Sequence, residues 1–107
     1  MLKNVAPVIE SAKFSTTAGG KVTEITLTFS EAVTVDANAF TVFVGDATTA
    51  TATTTATVTD KTTAVIKVTK GLTTEDIAKG ITVKLADGKK VVDAKGNLLK
   101  AFSVKAN

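Results

Sequence analysis

The sequence contains no cysteine, histidine, arginine, tryptophan or tyrosine, and a single proline. Without cysteine there are no disulfide staples, no thiol catalysis and no thiolate metal sites, and the redox compartment is unconstrained. Without histidine the commonest general base and metal ligand is missing; without arginine, so is the bidentate phosphate binder. These absences remove most catalytic constellations, and the chain is expected not to be an enzyme. Five phenylalanines are the whole aromatic complement, which leaves no Trp or Tyr platform for a sugar ring. No run approaches the ~18 apolar residues of a membrane span, so no membrane insertion is expected. Met1-Leu2-Lys3-Asn4 has no apolar signal core. If the parent protein is exported, this chain is a segment cut from it and Met1 is an added start.

What is present is threonine, alanine, valine and lysine. The thirteen basic residues, all lysine, against ten acids give a net charge of +3. They are scattered along the chain, whereas a phosphate-tracking surface clusters Arg and Lys with stacking aromatics, so no nucleic-acid partner is expected. A chain of 107 residues reads as one domain spanning 1–107. That size buries roughly 60 to 70% of its unfolded surface, enough for one core without metal or disulfide help. Thr and Val favour strands and Ala permits them, so the expected class is all-β with a core of small residues.

The clearest pattern is Lys21–Val35, KVTEITLTFSEAVTV. Ile25, Leu27 and Phe29 point one way and Glu24, Thr26 and Thr28 the other, the period of two of a half-buried strand. It is expected to be the central strand of an antiparallel sheet. Before it, Val8–Phe14 alternates imperfectly, because Val8, Ala12 and Phe14 share a face with Glu10. Either Glu10 lies near the strand end or a bulge re-registers the chain. Ala18-Gly19-Gly20 supplies the turn between these two strands.

Phe40–Val44 reads as a strand with Phe40, Val42 and Val44 on one face. The Thr/Ala run 47–57 admits three readings: a hairpin of small residues, a surface loop, or a site of O-linked glycans. Asp60-Lys61 reads as a turn, followed by a strand over Thr62–Thr69 with Ala64, Ile66 and Val68 inward. Gly71–Gly80 is the one helical candidate, with Thr73 or Thr74 as cap, acids in the first turn, Lys79 in the last and Gly80 as terminator. Ile81–Ala86 is a strand ending at the turn dipeptide Asp87-Gly88. Lys89–Val92 and Leu98–Val104 read as a closing strand pair, with Phe102 and Val104 in the core. Strands at this spacing suggest a sandwich of about seven antiparallel strands in two sheets, monomeric in isolation.

Three features in order, Leu27-Thr28-Phe29-Ser30-Glu31-Ala32-Val33, then Phe40-x-Val42, then Val92-Asp93-Ala94-Lys95-Gly96-Asn97-Leu98, resemble the bacterial Ig-like domains found in tandem in surface-layer (S-layer) and other cell-wall proteins. The likeness covers nearly the whole chain. It implies an Ig-like sandwich and a structural role: one bead of a larger exported protein, extracellular at the bacterial cell surface, self-assembling into a lattice. Its partners would then be neighbouring domains of the same chain and lattice neighbours. The alternative is an adhesin or ligand-binding Ig-like module that binds through loops at one end. A tandem bead also implies that Asn4 and Asn107 lie at opposite poles.

No catalytic or cofactor-binding residue is assigned. Asp93 and Asn97 are the candidates for a calcium ion, because their oxygens suit a hard cation; the competing reading is an ordinary turn with glycine in the left-handed region. Glu31 reads as a strand-end carboxylate holding a local hydrogen bond, or as a ligand. Glu75 and Asp76 diverge by about 100° on a helix and cannot flank one substrate. An internal Lys–Asn bond would need Lys13 or Lys105 to face Asn4 or Asn107 across the core beside a buried acid.

Overall fold

A computed structural model describes residues 6–100 and 102–107. The chain forms β1 (Ile9–Thr16), β2 (Val22–Val35), β3 (Phe40–Val44), β4 (Thr53–Thr55), β5 (Val58–Leu72), α1 (Thr74–Lys79), β6 (Ile81–Leu85), β7 (Val91–Asp93) and β8 (Ser103–Ala106). These eight antiparallel strands make a two-sheet β-sandwich. One sheet has the order β1-β2-β5-β4 with β7 also on β2, and the other the order β3-β6-β8.

The alternation in β2 dictates its place. Ile25, Leu27, Phe29, Val33 and Val35 are all buried, and the strand pairs with β1, β5 and β7. Val33 and Val35 pair with β5 on one edge, so β7 continues the edge that β1 occupies further up the strand. Between Thr28 and Val33 the register against β5 slips, five residues of β2 spanning two of β5. That bulge bends the strand and re-aims the side chains within it. The two sheets meet through Phe29, whose ring lies 6.3 Å from Phe40, which in turn lies 6.1 Å from Phe102.

In β1 the bulge reading holds: the register slips between Ile9 and Ser11, which places Glu10 in solvent and restores Ala12 to the core. Val8, expected inward, is 54% exposed. Thr73 caps α1 with a reciprocal box. Its Oγ1 accepts from Asp76 N, its own amide donates to Asp76 Oδ2, and Gly80 ends the helix at φ 96°.

The described residues form eight strands, in keeping with the expected sandwich of about seven; part of the Thr/Ala run pairs with β5 as β4, a contribution no periodicity announces. Two expectations are corrected. Asp60-Lys61 does not end a strand: β5 runs through it, with Asp60 at φ 54° marking a kink. Among the described residues, the segment after residue 97 makes a single bridge to β7, Val92 to Leu98. β8 then crosses to the other sheet and pairs with β6. Phe102 and Val104 are consequently half-buried against the core, and Val91, Leu99 and Ala106 complete it.

Both junctions between the sheets are closed by main-chain hydrogen bonds. Asn107 N donates to Ala12 O, and Asn107 O accepts from Phe14 N, each at 2.9 Å. This is the pattern of a parallel bridge between β1 and the end of β8. On the opposite side Thr51 N donates to Val42 O at 2.7 Å, while Ala52 O accepts from Thr69 N, so one short segment joins β3 to β5. Asn4 lies outside the described residues; Asn107 ends beside β1, near the pole of the β1–β2 turn.

The inward file of β2 predicts a sharp contrast. Leu27→Ala should cost about 2–5 kcal/mol in thermal or denaturant unfolding. Thr26→Ala, on the other face of the same strand, should cost less than about 1 kcal/mol.

Candidate functional site

The sequence candidates meet where β7 ends. Val33 of β2 pairs with Asp93 of β7, so the bulge that carries Glu31 sits beside the Asp93–Asn97 turn. The aspartate is buried, although it carries a charge. Its Oδ1 accepts from the amides of Lys95 (2.9 Å) and Asn97 (2.8 Å), and its Oδ2 accepts from Asn97 Nδ2 at 2.9 Å. The main chain closes the same turn: Asp93 N donates to Asn97 O and Gly96 N to Asp93 O, with Gly96 at φ 85°. Asp and Asn here do what turn-formers do, satisfying the local backbone with their side chains.

Glu31 faces this carboxylate. Burial chiefly, then the charge of Asp93 and a hydrogen bond to it, push the Glu31 carboxyl above its ordinary value. Hydrogen bonding from the Asn97 side chain, then from the backbone of Asn97 and Lys95, outweighs burial and holds Asp93 below the usual carboxylate range. Two carboxyls pushed in opposite directions are arranged to share a proton in acid and to repel one another when both are ionised. Sequence reasoning named both residues but not their meeting, which depends on the β2–β7 register and the bulge.

The remaining candidates are not brought together. Glu75 is exposed and Asp76 is used as the α1 cap. Lys13, Lys105 and Asn107 are exposed, so an internal Lys–Asn bond has no buried setting among the described residues, and Asn4 lies outside them. Those residues hold no cluster of three or more metal-ligating acidic side chains. Open grooves mark the surface of the described residues. One of about 670 Å³ lies beside β4 and β5. A second, of about 620 Å³, is lined by Asp46, Lys79 and Lys105. A third, of about 570 Å³, lies between Pro7–Ile9 and Phe102–Val104. Lys84 Nζ sits 5.0 Å over the Phe43 ring on the outer face of the smaller sheet.

No protein-family model matches the sequence, and no curated protein matches it. Among solved structures, the fold is similar to the N-terminal part of the bacterial S-layer protein SbsC. The TM-score is 0.67 at 18% identity, with 95% of this chain covered. The chain spans 23% of the length of that structure. At this identity the likeness is one of fold.

The carboxyl pair gives a pH prediction. A group held above its ordinary value, as Glu31 is, contributes stability in acid and loses that contribution as pH rises through its folded value. Asp93, held low, contributes above its ordinary 3.8 and loses that contribution as pH falls through its folded value. Glu31→Gln should therefore melt higher than the parent near neutral pH, with the gain vanishing below pH 4.5. Thermal melts across that window check it; a gain that persists in acid would mean that ionisation of Glu31 is not what costs the parent its stability.

Calcium gives a second prediction. Both oxygens of Asp93 are already engaged by N–H donors, and calcium takes six or more oxygens. The melting temperature should be the same in millimolar calcium and in chelator. A saturable rise that is lost in Asp93→Asn would show the turn to be a binding site.

Proposed function

We propose that this chain is an Ig-like structural domain of a bacterial surface-layer protein, exported to the cell surface as one bead of a self-assembling lattice. The observation that carries the reading is the fold likeness over 95% of the chain to the N-terminal part of an S-layer protein. The resemblance of the three sequence motifs is in accord with it. The parallel contact between the first strand and the end of the last supports the Ig-like assignment.

The chemistry of the surface supports a structural role in a second way. The polar side chains best engaged by hydrogen bonds, Asp93, Asn97, Thr73, Asp76 and Asn38, satisfy turns, a helix cap and a strand end. Each holds the fold, and none converges with others on a cleft. Contacts in the array would run along the sides of the sandwich, between domains of the same chain and between neighbouring chains.

The reading is tested on intact cells. Antibodies raised against the purified 107-residue chain should decorate the outside of the source cell, in a periodic pattern by electron microscopy. Labelling confined to lysed cells would overturn it. Surface labelling without periodicity, together with binding of the domain to a host molecule through its loop ends, would favour an adhesin instead.

A further inference from the structure

The edge of β5 is completed by β4 only in part. Thr53–Thr55 pair with Val68–Ile66, and on the far side of β4 Asn38 holds both main-chain groups of Thr55: its Oδ1 accepts from Thr55 N at 3.0 Å and its own amide donates to Thr55 O at 2.8 Å. Asn38 does so at φ 56°, a conformation Asn tolerates better than most residues. The chain turns away through Ala56 and Thr57 before re-entering as β5, leaving the groove of about 670 Å³ where β4 would have continued.

Which main-chain groups face that groove follows from the ladder. Thr69 N donates toward β4, and main-chain groups alternate sides along a strand, so those of Lys67, Val65 and Thr63 point the same way. Lys67 is paired with Thr54. Thr63 and Val65 have no partner on this edge among the described residues. Their side chains are exposed, Val65 at 39%, while Ala64 and Ile66 between and beyond them are buried. The groove is lined by Val58, Val65, threonines and the two lysines Lys61 and Lys67, and by no acid.

We propose that this open edge captures an extended peptide segment that adds a strand to β5, apolar or threonine-rich at its centre and carrying carboxylates at its ends. Two N–H and two C=O groups in a row are complementary to another extended main chain, the mode known as β-augmentation. Lys61 and Lys67 flank them and select acidic ends. A second copy of the chain is a poor occupant: the antiparallel register that pairs Thr63 with Val65 of the copy sets Lys61 opposite Lys67 twice, and like charges directly opposite destabilise a ladder. The inference stands apart from the surface-layer reading, since strand capture at this edge requires no lattice.

The probe is the blocked heptapeptide Glu-Thr-Val-Thr-Val-Thr-Glu, titrated into the full isotope-labelled chain and followed by amide NMR and hydrogen exchange. Shifts and new protection should centre on the Thr63 and Val65 amides. The double change Lys61→Glu with Lys67→Glu should weaken binding about tenfold and transfer it to the same peptide with lysine ends. Val65→Pro should abolish it; its amide is unpaired in the free chain, so the other amides should keep their positions. Unmoved Thr63 and Val65 amides would overturn the proposal. So would binding unaffected by charge reversal, or concentration-dependent protection of this edge without peptide, which would make a second copy the occupant.

Discussion

Everything in this fold hangs from the side-chain alternation of β2. Its inward file supplies one wall of the core, and its two edges hold β1, β5 and β7. The other sheet attaches to that wall through the Phe29–Phe40–Phe102 ring contacts and the valines around them. A one-residue slip in β2 would turn Ile25, Leu27 and Phe29 toward solvent together. The strand therefore tolerates irregularity only as a whole bulge, between Thr28 and Val33, that returns Val33 and Val35 to the core. The same bulge delivers Glu31 to Asp93. An electrostatic feature of the surface is in this way a by-product of how the central strand keeps its apolar phase.

Local chemistry was legible in the sequence where a residue acts on its own neighbourhood. The period of two in β2 and β3, the cap at Thr73 and the Asp93–Asn97 turn each need only a few consecutive residues to be recognised, and each occurs where the pattern places it. The bulge at Glu10 is one of the two arrangements the local sequence allows, because only a bulge or a strand end accommodates a carboxylate among Val8, Ala12 and Phe14. What the sequence could not carry were choices made between distant segments. Leu98–Val104 has the apolar content of a strand partner for β7, yet β8 goes to β6, where Val83 and Val104 pair. Thr53–Thr55 has no periodicity at all, and it becomes a strand because β5 offers it an edge.

The candidate site shows the same division. Asp93 and Asn97 could be named from spacing, since Asp, Gly and Asn within five residues write a turn. The proximity of Glu31 could not, because sixty-two positions separate it from Asp93 in the chain and only the β2–β7 register joins them. Nor could the open edge at Thr63 and Val65, which exists because β4 leaves β5 after Thr55, one residue short of it.

The seam at Asn107 has a mechanical meaning. There β1 and the end of β8 run side by side in the same direction. A pull applied through the two ends of the chain would draw β1 backward and β8 forward, sliding one along the other. The two hydrogen bonds bridging Ala12 and Phe14 to Asn107 would then be loaded at the same moment and along the strand axis, instead of being peeled open in turn. A domain joined in this manner yields to tension as a lap joint does, holding until both bonds give way together.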